Sequence, residues 1–384
     1  MSVLLGTACV VYPRSGTTVH RPPGRAASNP PESQAAEAQR GRLLPGERLR
    51  YGPTRAAARP TQRTDWASLT DTLPRHASGP HASNPEYLVR QSRDWRELER
   101  WLADDRPFAA YALGHLEWGL FEWASFWVAE GPQGTAIVMH AGALGATTVT
   151  TGAPQGVRAI LSLHPGARRS YLSTASPEHM PALRDAYYVR DTLSMTRMSV
   201  TTASFRGVES TVRRLRGRDA FKINALYATE GGPSHYTAET IERAVYYGMF
   251  DGDRLVSVAG THIVAPNQGI AIVGNVFTDG AYRGLGLATR VTSAVTHELL
   301  ERGCAEVALT VDPGNTPALA AYSRLGYRPG AGVVEARLER RDLFGIGPAL
   351  RRRRARSHGA AYGPYIEAVD VWERAGGELG EDRS

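Results

Sequence analysis

The sequence predicts an α/β fold built around a mixed sheet. One strand–loop–helix unit carries most of this prediction, because residues 270–277 form an apolar run rich in β-branched side chains, which is typical of a buried strand. A helix follows, since Leu287, Val291, Val295 and Leu299 recur at intervals of four and line one face. Strands and helices alternate through two long stretches of the 384-residue chain, and 42% hydrophobic residues are enough for real cores.

The first of these stretches, residues 86–201, is predicted to be a domain. It begins with two helices and three strands and then alternates between helix and strand. The predicted elements are helices at 95–102 and 108–120, strands at 125–129, 135–140 and 146–151, a helix at 157–163, a strand at 170–172, a helix at 177–186 and a strand at 192–200.

The second stretch, residues 207–345, opens with a strand after a short linker, then follows the same order, and is predicted to be a second domain. A hairpin turn at residues 251–253 joins two of its strands. The predicted elements are a strand at 210–215, helices at 220–228 and 238–244, strands at 246–250, 255–264 and 269–278, a helix from 287 to 302, a strand at 307–311, a helix from 315 and a strand near 333–338.

The two ends of the chain differ in composition from these stretches. Residues 1–85 are rich in Pro, Arg and Ala and show no sustained apolar periodicity. Such a segment cannot bury enough apolar surface to offset chain entropy, so it is predicted to be a disordered extension. Residues 346–384 contain an arginine run at 351–354 and are predicted to be a largely disordered, solvated tail.

The loop after strand 270–277 has the composition of a phosphate-binding loop. Gly284, Gly286 and Ala288 bring no large side chain to the start of the helix. Free backbone N–H groups and the positive end of the helix dipole attract phosphate there. An ordinary glycine-rich turn is the alternative, because the chain has 40 glycines. The pattern G-x-G-x-x-G fails at Thr289, and a Walker-type loop would need a lysine that is absent here.

Two linked signatures resemble the GNAT acyltransferase superfamily. Arg283, Gly286 and Ala288 fill the three defined positions of its coenzyme A loop, [Arg/Gln]-x-x-Gly-x-[Gly/Ala]. The second signature, Asn-x-x-Ala-x-x-x-Tyr-x-x-x-Gly-[Phe/Tyr], begins at Asn315 and includes Tyr322. The resemblance covers about residues 209–340 and implies an acyl-CoA N-acyltransferase (GNAT) fold. Since residues 86–201 follow the same element order, it also implies two tandem GNAT-like domains, of which residues 207–345 are the catalytic one.

The resemblance implies acetyl-CoA as co-substrate and implies no metal. In the family, a strand of this kind splays from its neighbour at a bulge, its free backbone groups pair with the pantetheine arm, and an N–H polarises the thioester carbonyl. Asn315 bonds the coenzyme in the family, although the same side chain is also predicted to be a helix N-cap. The implied coenzyme-binding residues are Val276, Phe277, Thr278, Arg283, Gly284, Leu285, Gly286, Leu287, Ala288, Thr289 and Asn315.

The corresponding loop of the first domain departs from this pattern. Residues 152–156 contain no Arg-x-x-Gly-x-Gly sequence, and Pro154 removes one backbone N–H group. We therefore expect a degenerate copy that has lost coenzyme binding, so that one coenzyme binds per chain. An unrelated α/β domain is the alternative.

Tyr322 is the general acid that the resemblance implies. The family's tyrosine at this position points at the coenzyme sulfur, and a phenol can protonate a departing thiolate. The alternative is a core tyrosine that packs beside Leu319 and Leu325.

The general base is less clear, because strand 270–277 carries no carboxylate. His262, in the apolar strand next to it, is a candidate, since an imidazole can deprotonate an amine. A structural core histidine and a water relayed through backbone carbonyls are the alternatives. Asn275 is a candidate for orienting a substrate.

Composition excludes several other classes. Cys9 and Cys304 lie in segments of different character, which argues against a disulfide framework and a cysteine metal cluster. No apolar run approaches the roughly eighteen residues of a membrane span, and the N-terminus lacks the basic region of a signal peptide, so we expect a cytoplasmic protein. The formal charge is +7, but the basic residues are arginines apart from Lys222, a skew typical of GC-rich coding.

The sequence therefore predicts a cytoplasmic N-acetyltransferase that transfers the acetyl group of acetyl-CoA to a primary amine in a ternary complex. Its catalytic residues are predicted to be Tyr322 and His262. A non-catalytic acyl-CoA sensor is the first alternative, and nucleic-acid binding through the arginine run is a disfavoured second. The prediction includes no membrane partner and leaves a homodimer open.

Overall fold

The structure is a computed structural model that describes residues 86–142, 144–232 and 235–370. The predicted extension at 1–85 and the end of the tail, 371–384, lie outside the described residues. All described residues belong to one compact unit. Among them, no helix is both long and apolar enough to cross a membrane.

The predicted strands and helices are present, and the structure adds a strand at 86–92 and a helix and a strand after residue 345. The described strands are β1 (Glu86–Ser92), β2 (Ala124–Gly131), β3 (Gly134–Ala141), β4 (Thr147–Gly152), β5 (Arg169–Thr174), β6 (Tyr187–Thr201), β7 (Arg213–Arg214), β8 (Tyr247–Asp251), β9 (Arg254–Ala265), β10 (Ile270–Thr278), β11 (Glu306–Val311), β12 (Arg328–Arg340) and β13 (Glu367–Asp370). The described helices are α1 (Trp95–Leu102), α2 (Ala110–Gly114), α3 (Pro154–Leu163), α4 (Met180–Ala186), α5 (Ala220–Ala228), α6 (Ala238–Arg243), α7 (Leu287–Glu301), α8 (Thr316–Arg324) and α9 (Ile346–Gly359).

All thirteen strands form one mixed sheet in the order β13-β1-β2-β3-β4-β5-β12-β6-β11-β10-β9-β8-β7. We call residues 86–201 the first half and residues 207–345 the second half. Both halves run through strand, two helices, three strands, helix, strand, helix and strand. The mixed α/β architecture is therefore confirmed, whereas the division into two tandem domains stays a prediction.

The last strand of each half lies beside strands of the other half. β12 of the second half pairs antiparallel with β5 and β6 of the first half, and β6 pairs antiparallel with β11 of the second. Local periodicity carries no information about such long-range pairing.

Helices cover both faces of the sheet. On one face, α7 and α8 pack on the centre of the second half around Val273, Val291 and Tyr322. On the opposite face, α1 and α2 of the first half pack on strands of both halves, including Ile263 and Ile272. The second half is therefore covered on this face partly by helices of the first.

The expectation of a largely disordered tail is wrong for residues 346–370. α9 contacts α3, and β13 extends the sheet by pairing with β1. Two arginines of the predicted solvated run, Arg351 and Arg352, donate to the carbonyl oxygens of Ser162 and Leu163 at 2.8 and 2.6 Å. These carbonyls lie at the C-terminus of α3, where the helix dipole favours positive charge, so the arginines hold α9 in place.

Candidate active site

Strand β10 separates from β11 after the first three of its nine residues. The parallel pairing between them covers only Ile270, Ala271 and Ile272. The antiparallel pairing of β10 with β9 on its other edge continues to Thr278. The backbone edge of residues 273–278 that faces β11 is therefore not used by the sheet.

Two bulges bend β9 and β10 at this point. The register shifts at His262 on β9 and again at Asn275 and Val276 on β10. Between the bulges, Gly260 and Gly274 lie directly opposite each other. A Cβ at Gly260 would meet the Tyr246 ring at 2.1 Å, and one at Gly274 would meet the His262 imidazole at 2.2 Å. These glycines let two rings lie directly on the strands.

The loop after β10 is fixed by side chains at its start. The Asp279 carboxylate accepts a hydrogen bond from the N–H of Ala281 and forms an ion pair with Arg254. The Arg283 Nε donates to the Thr278 carbonyl at 3.3 Å, and its Nη2 contacts the Glu230 carboxylate at 2.5 Å. Arg283 therefore holds the loop against the end of α5, and Glu230 offsets the positive charge that it brings.

The start of α7 is open and offers free backbone donors. Gly284 and Gly286 have φ angles of +82° and +72°, and a Cβ built on either would meet no atom within 4 Å. Gly286 is the N-cap and supplies no side-chain cap to the first turn, which is formed by Leu287, Ala288 and Thr289. Leu285 is 60% exposed. The loop thus fits the pyrophosphate of a coenzyme, which would bind the backbone N–H groups of this turn.

The corresponding loop and helix start of the first half pack closely against strand β3. A Cβ at Gly152 would meet the Thr135 carbonyl oxygen at 2.2 Å, and one at Gly156 would meet the Ala136 Cβ at 2.7 Å. Beyond its last pairing with β5, at Val149, strand β4 instead contacts His179. The His179 ring accepts from the Thr150 hydroxyl and donates to the Gly152 carbonyl, both at 2.9 Å.

Tyr322 lies on the α7–α8 face of the sheet. It is 3% exposed and shares a core cluster with Val273 and Val311, against which Val276 packs. Asn315 is the N-cap of α8, and its Oδ1 accepts from the N–H of Ala318 at 3.2 Å. This hydrogen bond confirms the predicted N-cap role of Asn315, whereas coenzyme binding by its side chain stays a prediction.

His262 lies on the opposite face, under α2. Its Nδ1 lies 2.7 Å from the hydroxyl of Tyr111, a residue of the first half. Its Nε2 is buried without a hydrogen-bond partner among the described residues. Burial lowers the pKa of His262 to about 4, and the charge of Arg197 also lowers it, while the Asn275 side chain partly offsets these effects. His262 is therefore neutral near pH 7.

Behind His262 lies a buried polar cluster that sequence reasoning missed. Arg197 of β6 is fully buried and donates to the Thr310 and Thr174 hydroxyls at 2.8 and 2.9 Å. Glu335 of β12 accepts from the Tyr171 hydroxyl at 2.6 Å, and burial raises its pKa to about 7. A charged residue inside each apolar strand, 192–200 and 333–338, is the signal that could have indicated this cluster.

The structure thus places the two predicted catalytic side chains on opposite faces of the sheet, at the strands that separate. Tyr322 approaches from the α8 side and His262 from the α2 side. The predicted coenzyme-binding residues from Val276 to Thr289 form one continuous strand end, loop and helix start.

Comparison with known proteins finds similarity to acetyltransferases. A model of the acetyltransferase (GNAT) family matches residues 217–327. The chain is 29% identical over 157 residues to a mycothiol acetyltransferase of Corynebacterium glutamicum, covering 38% of this chain and 51% of that protein. It is 31% identical over 143 residues to a mycothiol acetyltransferase of Rhodococcus erythropolis, covering 33% and 46%. The chain thus spans about half the length of the curated relatives it matches.

Solved structures of GNAT and GCN5-related acetyltransferases are also similar to this chain. A putative GNAT acetyltransferase of Novosphingobium aromaticivorans has 22% identity and a TM-score of 0.39, over 50% of this chain and 83% of that one. A GCN5-related N-acetyltransferase of Kribbella flavida has 17% identity and a TM-score of 0.40, over 54% and 86%. The match of the acetyltransferase (GNAT) family model, over residues 217–327, includes the loop before α7, the start of α7 and Tyr322.

Proposed function

We propose that the protein is an N-acetyltransferase that uses acetyl-CoA and transfers its acetyl group to a primary amine by direct attack in a ternary complex. The observation that carries this proposal is the open loop of Gly284 and Gly286 at the start of α7, next to the unpaired edge of β10. A coenzyme bound there by its pyrophosphate has a free strand edge beside it to pair with its pantetheine arm.

Each reacting group has a candidate partner in this arrangement. A backbone N–H of residues 276–278 polarises the thioester carbonyl, which stabilises the oxyanion that forms on attack. Tyr322 then gives its phenolic proton to the sulfur as the carbon–sulfur bond breaks. Its burial excludes water that would otherwise compete as the proton donor.

His262 accepts the proton that the nitrogen loses. In the tautomer proposed here, Nδ1–H donates to the Tyr111 hydroxyl oxygen and leaves a lone pair on Nε2. Its lowered pKa keeps His262 unprotonated at neutral pH but makes it a weak base. The transfer therefore follows the attack, because the nitrogen becomes much more acidic once it has bonded to the carbonyl carbon.

The first half supplies the wall of the site on the α2 face and binds no coenzyme of its own. His179 occupies the strand gap of the first half, and the tight approach of Gly152 and Gly156 leaves no cradle. We expect a soluble cytoplasmic enzyme that binds one acetyl-CoA per chain. The acceptor used by mycothiol acetyltransferases belongs in any screen of amines.

A non-catalytic acyl-CoA sensor is the second candidate. It is favoured by the absence of a carboxylate on β10 and by the low basicity of His262. The two candidate functions differ in the role of Tyr322. An acetyltransferase uses it as a general acid, whereas a sensor does not need an acid.

Tyr322→Phe tests the choice, because it keeps the ring and removes the proton. Acetyl-CoA affinity should barely change, while single-turnover acetyl transfer should slow by roughly ten- to a thousandfold. Tyr327→Phe is the control, since Tyr327 is also buried and its ring centroid lies 6.0 Å from that of Tyr322. Equal single-turnover rates for parent and Tyr322→Phe would remove Tyr322 from the mechanism.

A further inference from the structure

Asn275 has an unusual backbone conformation at the bulge of β10. Its φ angle is +54°, and only one other non-glycine residue in the described part of the chain, Asp191, has a positive φ. The left-handed region is disfavoured for side chains with a Cβ, although Asn tolerates it better than most. Such a conformation persists only where the surroundings stabilise it.

Three tyrosines provide that stabilisation, each from a different segment. Tyr227 of α5 donates to the Asn275 carbonyl oxygen at 2.8 Å, and Tyr236 donates to Oδ1 at 3.0 Å. Nδ2 of Asn275 in turn donates to the hydroxyl of Tyr246 at 2.8 Å. The three hydroxyl groups thus bind the backbone carbonyl, the side-chain acceptor and the side-chain donor of one residue.

The tyrosines also form a packed unit that resists movement. Tyr227 and Tyr236 stack with ring centroids 5.2 Å apart, and Phe277 packs against Tyr227 at 5.0 Å. Tyr246 lies over Gly260, directly across from Gly274. All three tyrosines are less than a tenth exposed, so their hydroxyl groups would be costly to leave without a partner.

The bulge determines which backbone N–H groups of β10 face the gap between β10 and β11. The extra residue on β10 lies between two of its pairs with β9, Gly274 with Gly260 and Phe277 with Val258. Asn275 lies three residues beyond the last pair of β10 with β11, at Ile272. Converting Asn275 to an extended conformation would flip the residues that follow and turn different N–H groups towards the gap.

We propose that Asn275 is a positioning residue for acetyl transfer, and that Tyr227, Tyr236 and Tyr246 hold its left-handed backbone so that the free N–H groups of β10 face the thioester carbonyl. This inference rests on the proposed acetyl transfer. Asn275 acts through the backbone that follows it and needs no contact with the reacting atoms.

The test is the vibrational spectrum of bound acetyl-CoA labelled with a heavy isotope at its carbonyl carbon. A hydrogen bond from β10 lowers the carbonyl stretching frequency, and this readout needs no acceptor. In Asn275→Ala we expect free coenzyme A to bind as in the parent, whereas the lowering of the carbonyl frequency should be lost. Turnover should fall by about tenfold or more, because the left-handed conformation is unfavourable for alanine.

Asn275→Gly should restore most of the lowering, because glycine adopts a positive φ freely. Asp191→Ala is the matched control, since it introduces the same backbone strain at an exposed site of the first half. If Asn275→Ala fails to fold, Tyr227→Phe removes the hydrogen bond to the Asn275 carbonyl and should weaken the lowering. A parent-like carbonyl frequency in folded Asn275→Ala or Tyr227→Phe overturns the positioning role of Asn275 but leaves the proposed acetyl transfer standing. Absence of acetyl-CoA binding by the parent overturns the proposed function as well.

Discussion

The hydroxyl of Tyr111 lies 2.7 Å from Nδ1 of His262, and this contact joins α2 of the first half to β9 of the second. The two residues are 151 positions apart in the chain. A residue of the half that is expected to bind no coenzyme therefore sets the hydrogen bonding of the proposed base.

Removing the Tyr111 hydroxyl should consequently affect the chemical step. His262→Gln should slow single-turnover transfer by roughly a hundredfold, the lower end of general base catalysis, and Tyr111→Phe should slow it by less. The double variant should be no slower than His262→Gln, because Tyr111 acts only through His262. Tyr87→Phe, a buried tyrosine near the far edge of the sheet, is the control. Additive losses in the double variant would show that Tyr111 acts independently.

The open glycine at the start of α7 allows a sharp test of coenzyme binding. Gly286→Glu should abolish binding, because the added carboxylate repels phosphate and the side chain blocks the first-turn N–H groups. Gly303→Glu is the matched control, since Gly303 follows the other end of α7, has a φ of +96° and also faces open space. Both variants should lose similar stability from backbone strain. Calorimetry that finds parent-like coenzyme A affinity in folded Gly286→Glu would exclude this loop as the site.

One coenzyme should bind per chain. The glycines of the second-half loop face open space, whereas those of the first half contact backbone and side chains, and His179 bonds both Thr150 and Gly152. Titration calorimetry with coenzyme A should give a stoichiometry of one for the parent and no binding for Gly286→Glu. A second binding event that survives in Gly286→Glu would show that the first half retains a site.

Glu335 should make stability fall as pH rises. Burial raises the pKa of Glu335 from 4.5 to about 7. Between these values the folded protein holds a proton that the unfolded chain has released, so rising pH favours unfolding. Glu335→Gln should therefore gain stability relative to the parent as pH rises from 4.5 to 7, by up to about 3 kcal/mol.

Denaturant unfolding of the parent and of Glu335→Gln at several pH values measures this difference. His262, whose pKa is lowered from 6.5 to about 4, makes an opposite contribution to stability. That contribution is the same in both proteins and cancels when they are compared. The Tyr171 hydroxyl lowers the pKa of Glu335, as does the charge of Arg197. Tyr171→Phe should therefore extend the pH range of the effect upwards. A pH-independent difference between parent and Glu335→Gln would contradict the prediction.

The arginines of α9 should differ in their effect on stability. Arg352 donates to the Leu163 carbonyl at the end of α3, so Arg352→Ala should cost about 1 kcal/mol of unfolding free energy. Arg353 is exposed, and Arg353→Ala should change stability by less than about 0.5 kcal/mol. Chemical denaturation of the two variants compares them directly. Equal costs would mean that Arg352 does not hold α9 against α3.

Local elements were predictable from the sequence because their signals are local. The helix predicted at 95–102 is observed as Trp95–Leu102, and the strand–loop–helix unit at 270–302 is present as β10 and α7. The helix predicted at 108–120 is shorter, Ala110–Gly114, and the chain beyond it turns through Gly119, whose φ is +83°. Apolar periodicity continued past the point where the backbone turns.

The environment of the site was not predictable, because it depends on pairs far apart in sequence. The left-handed Asn275 and its three tyrosines, the Tyr111–His262 contact and the Arg197–Glu335 cluster all come from long-range packing. The arginine run was misjudged for a related reason. Its charge predicted solvation, whereas the helix end that the arginines cap lies nearly 190 residues away.

The position of β12 has a consequence for how the molecule is made. Among the described strands, β12 alone joins β5 to β6, so without it the sheet separates into two parts. Synthesis proceeds from the N-terminus, so the edges of β5 and β6 stay unpaired until the ribosome has released residues 328–340. Exposed strand edges invite pairing with other chains. The facing edges of β5 and β6 therefore stay unpaired while residues 202–327 are synthesised, and the nascent chain needs these two edges protected until β12 is available.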